Sequence, residues 1–233
     1  MLMKRILILF IAVCVGSDLF ATGRMHWGVA KRVTGELAYF EQHTIERNKE
    51  ALISTTTEYL EPKKQVVIAK MTSDYTRSLK MPTYEFQDLR TGYKEGLRFS
   101  KGSYYAFFQH SNQKEKFAKV KPRSSLFSSQ GWHYYLVENL EKLDEKGFEL
   151  NLVLPGELDD FRFKLHKVRS KGKRLVAKLE LASWFLKIFA PNFLLTYDKA
   201  KRSLIEYRGI SNIKDENGDN HDVVITYVDK KPF

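Results

Sequence analysis

The sequence predicts a mainly β protein of the α+β type, with a large curved antiparallel sheet or half-barrel and one main amphipathic helix packed against it. Apolar and polar residues alternate over most of the chain, which is typical of half-buried strands. Turn-forming residues separate these stretches at short intervals. A single segment has helical spacing, so one helix is expected among the strands. The chain has 233 residues, 43% of them hydrophobic, which is enough for one sizeable core.

In the first half of the chain the alternation predicts six strands, at residues 29–45, 51–60, 65–71, 82–89, 93–100 and 103–110. The longest of them contains Gly35, which we expect to bend the strand or to form a bulge. Short turns, such as those at Gly92 and Gly102, join the later strands. This half should therefore be a meander of antiparallel neighbours.

Residues 127–143 break the alternation and predict the helix. Their apolar stripe recurs at helical spacing and consists of Trp132, Leu136, Leu140 and Leu143. Ser128 or Ser129 can cap the first turn, and Gly147 can end the segment. The stripe needs an apolar surface to cover, which the sheet would supply.

The second half returns to strands, at residues 148–154, 161–169, 174–182, 194–198, 203–207 and 223–228. Asn217-Gly218 predicts a tight hairpin turn before the last of them. Residues 184–189 form a short apolar piece that Pro191 stops. A flat sheet of roughly a dozen strands would leave one apolar face in water, so we expect it to curl, and such a shape often encloses an apolar cavity.

The N-terminus has the order of a signal peptide. Lys4 and Arg5 precede an apolar run of ten residues, 6–15, and small residues such as Ser17 and Ala21 follow. Ten residues rise about 15 Å as a helix, half the thickness of a bilayer core. We expect residues 1–21 to be a signal peptide, with a cut at Ser17 as the alternative. Residues 22–233 should then be a single β-rich domain, exported to the periplasm or the extracellular space.

The single cysteine of the sequence, Cys14, lies in the predicted signal segment, so the exported domain would hold no thiol. A lipid-anchored form would need a small residue before Cys14, and Val13 stands there. The formal net charge is +11, which favours an anionic partner such as an envelope surface or an anionic head group. The same charge can also serve solubility alone. Nucleic acid is not expected as a partner of an exported protein.

Three stretches carry a resemblance to known sequences: residues 88–96 (DLRTGYKEG), Tyr197-Asp198, and residues 207–213 (YRGISNI). They resemble an uncharacterised family of exported proteins of Gram-negative bacteria, which has no assigned activity. In strand count and helix placement the chain also looks like the periplasmic lipoprotein-carrier superfamily, whose half-barrels wrap a helix and hold acyl chains. That second likeness implies an apolar ligand by analogy.

A first candidate site is the polar cluster beside the turn at residues 88–96. The residues that would bind a ligand there are, together with two helix aromatics, Asp88, Arg90, Tyr93, Glu95, Trp132 and Tyr135. Asp88 and Glu95 could also act as an acid and base pair. The alternative is structural: Arg90 pairs with a carboxylate in a hairpin, Gly92 supplies an unusual backbone angle, and the aromatic residues are core.

A second candidate site is a basic hairpin predicted to bind anions. Its cationic residues are Arg162, Lys164, Lys167, Arg169, Lys171, Lys173 and Arg174. The alternative is a solvated sheet edge that lysines protect against aggregation.

Other motifs favour structure over chemistry. The acidic loop 215–222 lacks the Gly and Glu of a calcium loop at its sixth and twelfth positions, Asn220 and Thr226. Two Ser-x-x-Lys matches, at Ser170 and Ser211, lie in turn-like contexts. No histidine pair has metal-ligand spacing, so no metal or cofactor is expected.

The leading hypothesis from the sequence is a non-enzymatic protein of the cell envelope that binds an apolar or amphipathic, lipid-like ligand in the curved sheet. Basic residues at the rim would then meet an anionic head group. The alternative is an envelope scaffold or protein-interaction module. A third hypothesis is a hydrolase that uses Asp88 and Glu95. The sequence does not indicate an oligomeric state.

Overall fold

The computed structural model describes residues 24–49, 51–183 and 193–233. Their strands form one curved sheet of 15 strands, which confirms the predicted fold class. The predicted signal peptide and the short piece at 184–189 lie outside the described residues. Within the described part of the chain, no helix is long and apolar enough to cross a membrane.

The first eight strands follow one another through short turns. They are β1 (Arg24–Arg32), β2 (Leu37–Asn48), β3 (Ala51–Leu60), β4 (Val67–Asp74), β5 (Thr83–Asp88), β6 (Tyr93–Ser100), β7 (Ser103–Gln109) and β8 (Lys116–Lys119). Each pairs antiparallel with the next. This half is the meander that the sequence predicts.

The remaining elements begin with a short strand and the helix. They are β9 (Leu126–Ser128), α1 (Gly131–Glu138), β10 (Phe148–Leu154), β11 (Asp159–Lys171), β12 (Arg174–Leu181), β13 (Phe193–Asp198), β14 (Ser203–Lys214) and β15 (Asn220–Val228). The described residues also contain 3-10 turns at Leu140–Lys142 and at Pro155–Glu157, and the latter is called the Pro155 turn below. β9 and β10 run parallel, whereas the other neighbouring pairs in this half are antiparallel.

The order of strands across the sheet runs from β8 down to β1, then to β15, and on down to β9. The pairing of β1 with β15 joins the two halves, and Trp27 lies opposite Val228 there. The two edges of the sheet are therefore β8 and β9. The sheet curls far enough for the Pro155 turn, which follows β10, to lie against β6 and β7.

Helix α1 lies against the inner, apolar face of the sheet. It contacts both halves of the curve, β1–β8 and β9–β15, which are called its limbs below. Ser129, just before the helix, donates a hydrogen bond of 2.7 Å to the Tyr84 hydroxyl on β5. His133 in the helix hydrogen-bonds the Tyr197 hydroxyl on β13 at 2.9 Å. Trp132 is 1% exposed and belongs to the central cluster of buried residues from both halves. The helix is thus the element around which the sheet closes.

The predicted helix has the right place but the wrong length. Residues 127–128 belong to β9, and the helix begins only at Gly131. Gly131 lies against the backbone of Lys80, because a Cβ at this position would be 2.0 Å from the Lys80 carbonyl oxygen. Ser128 accepts a hydrogen bond from the Gly131 amide, but no side chain caps the helix at its N-cap residue, Gln130. The predicted stripe is nevertheless buried, because the 3-10 turn carries Leu140 inward.

The prediction of a single strand at residues 29–45 is wrong. The chain turns back between β1 and β2, where Gly35 has a φ of +95° and the Arg32 amide donates to the Glu36 carbonyl at 2.7 Å. A positive φ of this kind suits a glycine in a tight turn better than a bulge within a strand. The turn at Asn217-Gly218 is confirmed, and the Asp215 carboxylate accepts hydrogen bonds from the Asn217 and Asp219 amides.

Candidate functional site

The predicted cluster at residues 88–96 lies at the turn between β5 and β6. Asp88 ends β5 and is 3% exposed. Its carboxylate accepts hydrogen bonds from Nε and Nη2 of Arg90, at 3.1 and 2.7 Å, and from the Arg90 amide at 2.9 Å. Gly92, with a φ of +70°, allows the chain to turn back into Tyr93. The Asp88–Arg90 pair matches the structural alternative that the sequence offers.

Arg90 also joins this turn to a distant part of the sheet. Its Nη1 donates a hydrogen bond of 3.0 Å to the carbonyl of Lys214, the last residue of β14. β14 leaves its register with β15 between Ile210 and Lys214. In this bulge Ser211 hydrogen-bonds the Tyr39 hydroxyl at 2.6 Å, so β14 also contacts β2, which is not its neighbour. The stretch 88–96 therefore contacts, through Arg90, the residue that directly follows the stretch 207–213.

Glu95 is the most enclosed carboxyl group of the cluster. It is fully buried, and the Tyr93 hydroxyl donates a hydrogen bond of 2.5 Å to its Oε2. Gly156 of the Pro155 turn lies so close that a Cβ there would be 3.0 Å from the same oxygen. The other oxygen, Oε1, has no hydrogen-bond partner within the described residues.

Burial raises the pKa of Glu95 to about 8, and the charge of Glu157 adds to the rise. The hydrogen bond from Tyr93 and the charge of Lys214 act in the opposite direction without reversing the shift. Glu95 therefore holds its proton through most of the neutral range. Burial and then the neighbouring Glu95 raise the pKa of the Tyr93 hydroxyl in turn.

Asp88 and Glu95 lie on the same face of the β5–β6 pair, because Asp88 is opposite Tyr93 and Glu95 is opposite Phe86. Their environments differ: Asp88 has a cation as partner, whereas Glu95 is fully buried and hydrogen-bonded by Tyr93. A hydrolase would need both groups to reach water and substrate. Both are nearly or fully buried, so this arrangement supports a structural role more directly than an acid and base pair.

The two aromatic residues predicted to line a ligand site belong to α1. Trp132 is enclosed in the core, and its Nε1 has no partner among the residues described. Tyr135 is half-buried, packs on Phe127 with ring centroids 5.2 Å apart, and lies under the Lys80 ammonium at 4.6 Å. Tyr84 links the helix segment to Glu95. Its hydroxyl accepts a hydrogen bond from Ser129, and burial and then the charge of Glu95 raise the pKa of that hydroxyl.

Sequence reasoning missed a polar row on the inner face of β1, β2 and β3. His43 hydrogen-bonds Glu41 through Nε2 and Thr57 through Nδ1, both at 2.9 Å, and all three side chains are buried. Gly28 on β1 leaves room for Glu41, because a Cβ there would lie 2.8 Å from the Glu41 Oε2. The signal was the pattern of β2, in which Glu41 and His43 interrupt an otherwise apolar face.

A groove of about 760 Å³ lies on the outer face of β11 to β15 and is called the basic groove below. One row of cross-strand neighbours forms its base: Arg169, Val176, Thr196, Glu206 and Thr226. A second row, nearer the β11–β12 turn, is Lys171, Arg174 and Asp198. The remaining residues that line the groove are Ile205, Arg208 and Tyr227.

The positive charge of the basic groove is only partly neutralised. Arg208 pairs with Glu206 at 2.8 Å, and the Asp198 carboxylate accepts hydrogen bonds from the amides of the following turn. The other three cations form no ion pair with any residue in the described ranges: Arg169, Lys171 and Arg174. Beside them Val176 and Ile205 supply apolar surface, so the groove combines cations with an apolar floor.

Three of the seven predicted anion-binding residues therefore line one groove. Arg162 lies elsewhere, in a separate groove of about 670 Å³, and approaches Glu149 at 3.5 Å. Lys164 and Lys167 lie earlier in β11, and Lys173 lies in the turn after it. The sequence grouped these seven by proximity in the chain, whereas the sheet register separates them.

No family model matches the chain, and no curated protein matches it. Among solved structures, the chain is similar to a β-barrel-like protein of a domain of unknown function, DUF1849, from Brucella abortus. The identity is 12%, the TM-score is 0.40, and the match covers 89% of this chain and 96% of the other. The function of this chain therefore has to be inferred from its own residues.

Proposed function

We propose that this chain is an exported protein of the cell envelope that binds an anionic amphiphile, with no catalytic step. The basic groove is the proposed site. Arg169, Lys171 and Arg174, which form no ion pair with a described residue, would hold the anionic head group. The observation that carries the proposal is that these cations border an apolar floor within one groove.

The dimensions of the groove support this proposal. Its volume of about 760 Å³ lies within the range of small-molecule sites, roughly 300 to 1,000 Å³. The apolar part of a single-chain amphiphile would lie along Val176 and Ile205, where contact with water is lost on binding. The hypothesis drawn from the sequence was that the ligand binds inside the curved sheet. The outer groove offers the same combination of charge and apolar surface, whereas α1 and large aromatic side chains occupy the inner face.

A binding experiment with matched lipids tests the site. We expect lysophosphatidylglycerol, which is anionic, to bind the domain of residues 22–233 more tightly than zwitterionic lysophosphatidylcholine, by isothermal titration calorimetry below micellar concentrations. The triple variant R169Q/K171Q/R174Q should lose at least about tenfold in affinity, because a charge-assisted contact contributes more than one factor of ten.

The control removes the same charge from exposed positions elsewhere, in K63Q/K64Q/K101Q, which should bind like the unchanged protein. Equal affinity for both lipids, or equal loss in both triple variants, would show that the basic groove is not the site. Glycerol phosphate alone separates the two parts of the ligand: binding as tight as that of the lipid would exclude a contribution from the apolar floor.

Export is tested independently of binding. We expect N-terminal sequencing of the protein from the envelope fraction of a Gram-negative host to begin at Thr22, after removal of residues 1–21. The same preparation, analysed by native mass spectrometry, would carry an anionic amphiphile at close to one per chain. An intact N-terminus in the cytosolic fraction would contradict the proposal of export.

A further inference from the structure

The β8 edge, defined as residues 116–121, is a free edge of the 15-stranded sheet. β8 pairs with β7 on one side and has no strand on the other within the described residues. Its residues Lys116, Phe117 and Lys119 are exposed, and 59% of Phe117 is accessible to solvent. Such an edge presents backbone groups on which another strand can form.

The hydrogen-bond pattern shows which backbone groups point away from the sheet. The Val120 amide donates to the Tyr104 carbonyl at 2.9 Å, so Val120 and Tyr104 form a hydrogen-bonded pair. In an antiparallel ladder such pairs alternate with pairs that make no bonds to each other. Lys116 and Ala118 therefore bond towards β7, whereas the N–H and C=O groups of Phe117 and Lys119 point outward.

Charge determines which strand can use these groups. The stretch from residue 114 to residue 123 carries one acidic residue, Glu115, which is paired with Arg98. It carries five basic residues: Lys114, Lys116, Lys119, Lys121 and Arg123. Two copies of this edge would repel each other, because lysines would face lysines across the new pair. An acidic strand would meet an opposite charge at the same positions.

We propose that the β8 edge binds an extended acidic segment of a partner protein by strand addition. This interaction goes beyond the proposed lipid binding and uses a different surface. The outward groups of Phe117 and Lys119 would form the ladder. An apolar residue would face Phe117, and acidic residues would face Lys116 and Lys119, so the preferred core of the segment is Glu-Val-Val-Glu or a close equivalent.

Peptide binding tests the proposal directly. The probe is a fluorescein-labelled hexapeptide, Val-Glu-Val-Val-Glu-Val, and fluorescence anisotropy follows its binding to the domain of residues 22–233. We expect saturable binding that weakens at higher salt, and at least about tenfold weaker binding of the Lys-Val-Val-Lys counterpart. A peptide with Glu-Val-Pro-Glu at its centre keeps the charge but removes a ladder donor, and it should also bind at least about tenfold more weakly.

Two variants separate backbone pairing from charge attraction. Lys119→Pro removes an outward N–H while leaving the bonds to β7 in place, and edge strands tolerate proline at such positions. It should weaken peptide binding strongly, whereas Lys119→Gln, which removes the charge but keeps the N–H, should weaken it less. Hydrogen exchange should show new protection of the Phe117 and Lys119 amides when the acidic peptide binds.

Circular dichroism and the thermal midpoint of each variant verify that the fold is retained. The charge control is K63E/K64E, which should leave peptide binding unchanged, whereas K116E/K119E should abolish it. The proposal is overturned if the acidic peptide does not bind. It is also overturned if the proline-containing peptide or Lys119→Pro binds as tightly as its counterpart, because the attraction would then be electrostatic alone.

Discussion

Glu95 shows how a single buried group ties stability to pH. Its carboxyl is enclosed by Tyr93 and the Pro155 turn, and its pKa of about 8 lies above the ordinary value of 4.5. Between these two values the folded protein keeps a proton that the unfolded chain has lost. Stability contributed by the protonated form is therefore complete below about pH 4.5 and declines as the pH rises towards 8.

We expect the free energy of unfolding to fall by as much as about 1.4 kcal/mol per pH unit from this one group as the pH rises from 5 to 8. Glu95→Gln removes the titrating proton and should flatten that decline. Urea unfolding of both proteins at pH 5, 6, 7 and 8 measures the difference in slope. The exposed Glu145→Gln serves as the control, and a slope in Glu95→Gln that matches the unchanged protein would contradict the assignment.

At the scale of elements, the Asp88–Arg90 pair fastens the β5–β6 turn to the end of β14. Arg90 satisfies a buried carboxylate and at the same time reaches the Lys214 carbonyl. Loss of the guanidinium would leave Asp88 buried, with the hydrogen bond from the Arg90 amide as the one that remains among the described residues. The largest effect of removing one partner is therefore the buried charge that is left without its counter-ion.

Arg90→Met should lower the free energy of unfolding by about 2 kcal/mol, since it leaves a buried charge without its cation and Arg90 itself is partly exposed. Asp88→Asn in the same chain should restore part of the loss. Urea unfolding of the two single variants and the double variant gives the coupling between the two residues. If the two single losses simply add up in the double variant, Arg90 and Asp88 are not coupled.

Most elements could be predicted from the sequence because their residues alternate with a clear period. β3, for example, has the bounds that its pattern predicts, residues 51–60. β8 and β9 were missed, since β8 is exposed on both faces and β9 has only three residues. The candidate site was harder to predict from the sequence, because Arg169 and Arg208 are distant in the chain. Only the register of four strands brings them to one groove.

At the scale of the whole molecule, α1 couples the two limbs of the curved sheet. It reaches Tyr84 on β5 through Ser129 and Tyr197 on β13 through His133. Trp132 belongs to the central cluster of buried residues, which draws its members from both limbs. Among the described residues, the backbone strand pairing that joins the two halves of the sheet is that of β1 with β15. The helix adds a connection made of side chains, beside the Arg90–Lys214 and Tyr39–Ser211 hydrogen bonds.

We expect Trp132→Ala to lower the free energy of unfolding by about 4 kcal/mol, the usual effect of removing a buried indole. Hydrogen exchange should then accelerate in β5 and in β13 together, because both limbs lose the same support. Faster exchange in one limb alone would show that the halves open independently. Phe117→Ala, at an exposed site, is the control and should change neither strand.

The pairing of β1 with β15 also has a consequence for the order of folding. Each other pair of neighbouring strands joins segments close in the chain, whereas Trp27 and Val228 are about 200 residues apart. Closing so long a loop carries an entropic penalty that short hairpins do not. We therefore expect the two runs of strands to form early and their junction to form last, as the slow step. During synthesis β1 would therefore remain unpaired on one side until β15, the last strand, had been made.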